Sequence, residues 1–244
     1  FCHDAEQTLT VTAPEDSGYS GNPSPGAEVS GSIDGVSYTL RYTGEAYDSA
    51  DAPTNAGDYT VSITAGGVTA TDSFTIRPKP IENCDVRLDV TSFTYSGKAP
   101  ELSVTAVDNG VGSYTMQQGI DYTVAQATGI NTGSHKLTVT GMGNYTGSVE
   151  LDYSITARDV YIIDAQIKPV TYSEAGYELE VTSLSFDGLV EGETLDYLAS
   201  AQLTGTNAAG EQKVSVTVTG SNANYYIRYS VFDTTVTINK AEAS

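Results

Sequence analysis

Apolar and polar residues alternate with a period of two along much of the chain. Tyr59, Val61 and Ile63 share one face, and upstream Val36, Tyr38, Leu40 and Tyr42 do the same. Such alternation predicts half-buried strands. It continues in Leu102 and Val104, expected to pair with a later strand carrying Leu137 and Val139, and in Val149, Leu151, Tyr153 and Ile155. Further on, Tyr177, Leu179 and Val181 precede Val214, Val216 and Val218. The intervening polar positions are mostly Thr and Ser, which suit a solvated sheet face. Turn formers separate the runs, as in Asp108-Asn109-Gly110, Gly141-Met142-Gly143-Asn144 and Thr219-Gly220-Ser221-Asn222. No dozen-residue window places apolar residues at helical spacing, so the expected class is all-β.

Comparing the chain with itself exposes a repeat. Tyr19-Ser20-Gly21 returns as Tyr95-Ser96-Gly97 and as Tyr172-Ser173-Glu174, at steps of 76 and 77 residues. Asn55-Ala56-Gly57 returns as Asn131-Thr132-Gly133 and as Asn207-Ala208-Ala209-Gly210, at steps of 76 and 76. Phe74-Thr75-Ile76, Tyr153-Ser154-Ile155 and Val236-Thr237-Ile238 close the three copies. Two independent markers on one step predict three tandem small β-domains, at 1–77, 78–156 and 157–244. The joints are short: Arg77-Pro78-Lys79-Pro80 is stiffened by two prolines, and Thr156-Ala157-Arg158 leaves little slack. A stiff, elongated array is expected, each domain an Ig-like sandwich, with a grasp-like sheet as the alternative.

Charge narrows the partners. The 244 residues carry 31 acidic and 11 basic side chains, net −20, so no basic stripe is available for nucleic acid or anionic lipid. Apolar residues at 39% and charged ones at 17% are unlike a disordered acidic tail. No run approaches the roughly 18 apolar residues of a membrane span. The chain opens Phe1-Cys2-His3-Asp4 without a leader-like stretch and reads as a portion of something longer.

The second repeat reads Phe93-Thr94-Tyr95-Ser96-Gly97-Lys98-Ala99-Pro100, then Asp121-Tyr122-Thr123-Val124, Asn131-Thr132-Gly133 and Gly143-Asn144-Tyr145-Thr146-Gly147, closing on Tyr153-Ser154-Ile155. That order resembles the tandem repeats of bacterial cell-surface and adhesin-like proteins. The third repeat, with Asn222-Ala223-Asn224-Tyr225 and Thr237-Ile238-Asn239-Lys240-Ala241, is similar to MBG- or YDG-type domains. The first fits less well, because Ala65-Gly66-Gly67-Val68 stands in place of the Gly-Asn-Tyr turn and implies a shorter hairpin. The resemblance implies an extracellular chain, attached to the cell surface or wall through regions outside this sequence. It supplies no catalytic residues.

Chemistry is sparse. Of two histidines, His3 lies at the terminus and His135 occupies the position of Tyr59 in its repeat, a structural placement. There is no Gly-x-Ser-x-Gly elbow, and Gly141-x-Gly143-x-x-x-Gly147 misses the dinucleotide spacing. The carboxylates sit at turns and polar strand positions, and Trp is absent, which disfavours a glycosidase cleft. Calcium is the best candidate cofactor, with Asp48, Asp51 and Asp58 as its ligands, although no Asp-x-Asp-x-Asp-Gly loop occurs. Cys2 and Cys84 are the only thiols; they precede the opening strands of adjacent repeats, a separation that works against a disulfide. Tyr38, Tyr59, Tyr153 and Tyr177 fall in register with aliphatic neighbours and are expected in cores. Tyr145, Tyr225, Tyr226 and Tyr229 cluster in or after hairpin turns, where exposed rings would grip a glycan or protein, or cap a small sandwich.

The reading is a non-enzymatic, monomeric stalk or adhesive segment needing no cofactor, with diffuse acidic solvation rather than specific calcium. The alternative is a module binding a glycan or host extracellular protein through Asn222, Asn224, Tyr225, Tyr226 and Tyr145. A carbohydrate-active enzyme is the least favoured class.

Overall fold

The computed structural model describes residues 8–31, 36–220 and 222–242. The chain is all-β, and Ile81–Asn83 forms the one helical turn among the described residues, of 3-10 type. It divides into two compact units. The first takes in Phe1–Asp89, Leu102–Gln126 and Lys136–Leu151; the second takes in Val90–Glu101, Ala127–His135 and Asp152–Ser244. The second sequence repeat therefore contributes to both.

In the first unit, Gly57–Ala65 and Val68–Arg77 form an antiparallel hairpin that pairs Tyr59 with Phe74, Val61 with Asp72 and Ala65 with Val68. Gly66 and Gly67 both adopt positive φ, +55° and +81°, as a two-residue hairpin turn requires. Tyr59, Val61, Ile63, Phe74 and Ile76 point inward and pack with Leu9, Val11 and Tyr42. Leu9 and Val11 belong to the segment that pairs Thr10–Thr12 with Glu28–Ser30, so a small second sheet closes this core. Fully burying each aliphatic side chain contributes on the order of 1.5–3 kcal/mol.

The expected strand through Val36, Tyr38 and Leu40 does not form. Pairing to Gly57–Ala65 begins only at Arg41, opposite Ser62, and Val36, Tyr38 and Leu40 have no ladder partner among the described residues. Val36 and Tyr38 are exposed, and Tyr42 alone of that set is deeply buried. The expected pairing of Leu102 and Val104 with Leu137 and Val139 is also corrected. Val104–Asp108 pairs with Asp85–Leu88 and Tyr114–Thr115, whereas the later strand pairs with Tyr122–Val124. Val139 is instead buried in one core with Ile81, Ala106, Met116, Tyr122 and Tyr145, and Val104, half-buried, packs against that core. Alternation shows which side chains point inward, not which strand lies alongside.

The second unit contains a two-sheet sandwich. Arg158–Ile167 pairs with Val181–Asp187 and Tyr225–Ile227 in one sheet. Gly210–Gly220 pairs with Tyr197–Leu203 and Val231–Asn239 in the other, with Val170–Thr171 running parallel to Val231–Asn239. Ile162, Ala165 and Ile167 face Val214, Val216, Val218, Val236 and Ile238. The layers are two sheets without a covering helix, so the favoured sandwich holds over the grasp-like alternative.

His135 does what its alignment with Tyr59 suggests. Tyr59 donates its hydroxyl to the Asn55 carbonyl at 2.8 Å, and the His135 Nε2–H donates to the Asn131 carbonyl at 2.7 Å. Each ring also lies against an aromatic on the closing strand, Tyr59 on Phe74 and His135 on Tyr153.

Candidate functional site: the asparagine–tyrosine clamp

The residues that recur along the sequence meet in space. In the first unit, Asn144 lies in the turn after Gly133–Gly141, where the Tyr145 N–H bonds the Met142 carbonyl at 3.1 Å. Its Oδ1 accepts the Ala56 N–H at 2.8 Å, and its Nδ2 donates to Asn55 Oδ1 at 3.1 Å. The Asn144 carbonyl accepts the Lys79 N–H at 2.9 Å, opening the parallel pairing of Lys79–Pro80 with Tyr145–Thr146. The next residue, Tyr145, is buried, its ring edge-on to Tyr19 at 5.6 Å. Tyr19 is fixed in turn by its own N–H to the Arg77 carbonyl at 2.8 Å.

The second unit repeats this arrangement bond for bond. Asn224 Oδ1 accepts the Thr132 N–H at 2.9 Å, and its Nδ2 donates to Asn131 Oδ1 at 2.9 Å. Its carbonyl accepts the Arg158 N–H at 2.9 Å. Tyr225 is buried edge-on to Tyr95 at 5.4 Å, and the Tyr95 N–H bonds the Thr156 carbonyl at 2.9 Å. A single amide side chain thus satisfies two groups of one turn in both units, and the tyrosine beside it fills an aromatic notch.

Two glycines permit the close approach. Gly21 and Gly97 adopt φ of +74° and +76°. A Cβ on Gly21 would stand 2.1 Å from a Val111 methyl, and one on Gly97 would stand 2.9 Å from a Val190 methyl. A side chain at either place is strained by its backbone and blocked by its neighbour.

The polar anchors differ. In the first unit the Tyr145 hydroxyl donates to Asp108 Oδ2 at 3.2 Å, and Lys79 Nζ meets Asp108 Oδ1 at 2.5 Å. Asp108 has no exposed surface, and the Gly110 N–H supplies a further bond at 2.9 Å. Burial, and then the Asp108 charge, push the Tyr145 phenol far above its ordinary range. Burial also raises the nearby Cys84 thiol. In the second unit the Tyr225 and Tyr95 hydroxyls both donate to Glu193, at 2.6 and 2.8 Å, and Tyr225 accepts the Val190 N–H at 3.1 Å. Burial and the Glu193 carboxylate raise both phenols.

The third copy of the markers is tied to itself. Asn207 Oδ1 accepts the Tyr177 hydroxyl at 2.6 Å, and its Nδ2 donates to the Ser173 carbonyl at 3.1 Å. The glycine of Tyr-Ser-Gly is here Glu174.

Of the residues singled out as a binding cluster, Tyr145 and Tyr225 are buried rather than exposed at hairpin tips. Asn222 caps its turn, accepting the Asn224 N–H at 2.9 Å, and Asn224 is the clamp itself. Tyr226 remains exposed. Among the calcium candidates, Asp48 pairs with Arg41 at 2.6 Å and Asp58 accepts the Thr75 hydroxyl at 2.7 Å. Asp51 is exposed at a turn, where its N–H bonds Ser49 Oγ at 3.0 Å. No three His, Cys, Asp or Glu side chains converge as a metal site among the described residues. Cys84 is a free thiol, and Cys2 lies outside the described residues.

No protein-family model matches the chain, and no curated protein matches it. Solved structures do overlay on it. Drosophila N-cadherin EC1-4 is 12% identical, with a TM-score of 0.33, covering 96% of this chain and 72% of that one. The titin I-band fragment I67-I69 is 9% identical with a TM-score of 0.33, covering 97% and 98%. Drosophila OTK extracellular domains 3-5 are 9% identical with a TM-score of 0.31, covering 98% and 99%.

Tyr19, Asn55, Tyr95 and Asn131 were legible only as markers of the repeat. Their constant step was the available signal of a shared role. Asp108 and Glu193 gave none, since both read as ordinary acids of turn-rich segments.

Proposed function

We propose that the chain is a non-enzymatic spacer in an extracellular, surface-attached protein, a bacterial stalk of the adhesin type. The observation that carries this reading is the clamp of Asn144 and Tyr145, reproduced by Asn224 and Tyr225 with the same hydrogen-bond pattern on the equivalent asparagine turn. A repeated joint that engages both backbone and side chains of the preceding repeat resists bending, and reach then grows with the number of repeats. The chemistry of the clamp is hydrogen bonding and aromatic packing, with no nucleophile set against a base. No helix among the described residues is long and apolar enough to cross a membrane, which suits attachment through other regions. The charge of −20 keeps such a chain soluble and discourages lateral association.

Small-angle scattering of the full chain and of the double variant Asn144→Ala, Asn224→Ala tests this. The spacer reading expects a single stiff particle for the parent and a broadened distribution of maximum dimension for the variant, with circular dichroism unchanged. Identical scattering from the two would remove the mechanical role of the clamp.

A further inference from the structure

We propose that the outer face of the sheet built on Arg158–Ile167, in the second unit, is a platform for a neutral saccharide chain, carried by Tyr161, Tyr226 and Tyr229. The parallel register sets Asp159 opposite Tyr226 and Val160 opposite Ile227, and the Arg228 N–H extends the ladder to the Val160 carbonyl at 2.9 Å. Alternate residues share a face, so Val160 points inward while Asp159, Tyr161, Tyr226 and Arg228 point outward. Tyr161, Tyr226 and Tyr229 are 40%, 54% and 70% exposed. The Tyr161 and Tyr229 rings lie 6.2 Å apart, tilted by 46°, as one aromatic surface.

These tyrosines differ from those of the clamp. Tyr95, Tyr145 and Tyr225 spend their hydroxyls on carboxylates, whereas among the described residues no group bonds the hydroxyls of Tyr161, Tyr226 or Tyr229. On the same face lies a loose ion pair, Arg228 Nε to Asp159 Oδ2 at 3.8 Å, with both side chains about half exposed. Asp187 lies opposite Tyr161 across the ladder. Exposed rings and charged side chains thus share one face, the complement of a sugar, whose C–H face stacks on an aromatic ring while its hydroxyls bond charged groups.

The occupant follows from charge. A chain of net −20 repels polyanions and further copies of itself. Cores of protein interfaces are depleted in charged residues, and here a charged pair shares the face with the rings. An uncharged polyol satisfies both conditions. The inference is independent of the spacer reading, because Tyr161, Tyr226 and Tyr229 take no part in the clamp.

The test is calorimetric titration of the full chain with a soluble β-glucan, a mannan, a galactan and an N-acetylglucosamine oligomer, with heparin and oligolysine as charged controls. The proposal expects heat from at least one neutral saccharide and none from heparin. Tyr161→Ala and Tyr229→Ala should each weaken binding about fivefold or more, with Tyr229→Phe within about twofold, since the ring supplies the contact. Asn144→Ala should leave binding unchanged, and circular dichroism checks that each variant is folded. Silence from all four neutral saccharides overturns the proposal, as does binding that both alanine variants retain. Binding to oligolysine alone overturns it in favour of a basic peptide partner.

Discussion

The clamp of the first unit closes on a buried ion pair, and that of the second on a shared carboxylate. Lys79, Asp108 and Tyr145 form the one; Tyr95, Glu193 and Tyr225 form the other. Where the first unit has Lys79 reaching a carboxylate, the second has Arg158 donating Nε–H to the Gly188 carbonyl at 2.5 Å. The asparagine bonds and the aromatic edge contact are nonetheless the same in both. Backbone geometry and the amide therefore define the joint, and the anchor beneath the tyrosine is replaceable so long as every buried polar atom finds a partner.

The largest expected effect common to the two joints is loss of the buried ring. Tyr145→Ala and Tyr225→Ala should each cost about 3–5 kcal/mol in urea unfolding, the range for removing a packed aromatic. Tyr145→Ala should be the worse, because it strips a bond from a carboxylate with no access to water. Equal costs would mean the anchors are energetically interchangeable.

Lys79→Met sharpens the difference further. It leaves Asp108 charged and buried without its cation, a loss of about 3 kcal/mol. Arg158→Met removes only a bond to a carbonyl, about 1 kcal/mol. Urea midpoints for the two variants check this, and a smaller effect at Lys79 than at Arg158 would mean that the ion pair does not anchor the first joint.

Alkaline pH should loosen both joints. Tyr95, Tyr145 and Tyr225 titrate above the ordinary value of 10.0 because burial and a nearby carboxylate disfavour the phenolate. A phenol that holds its proton more tightly folded than unfolded contributes stability that is whole below pH 10 and is lost as pH rises beyond it. Urea midpoints measured from pH 8 to 11 should fall steeply above 10. Tyr145→Phe, which cannot titrate, should flatten part of that fall.

Strands were legible where alternation coincided with a ladder partner. Tyr59, Val61 and Ile63 are the clear instance, with Phe74 opposite Tyr59. Val36 and Tyr38 show the same alternation but have no ladder partner among the described residues, so the pattern misled there. Tyr145 and Tyr225 read as hairpin-tip residues, and local sequence gives no sign that a tip 88 to 93 residues beyond an asparagine turn comes to rest on it. The step of the repeat marked Asn55 and Asn131 as special without naming their partners, because a joint is a long-range contact. His135 was placed correctly since its role, bonding a carbonyl four residues back, is local.

Amide hydrogen exchange at Ala56 and Thr132 tests the central claim most directly, because each N–H is held by the amide oxygen of a clamp asparagine. Both amides should be protected in the full chain. Asn144→Ala should release Ala56 by about tenfold and leave Thr132 protected, and Asn224→Ala should do the reverse. Fast exchange at both amides in the parent, or protection that survives both substitutions, would contradict the clamp.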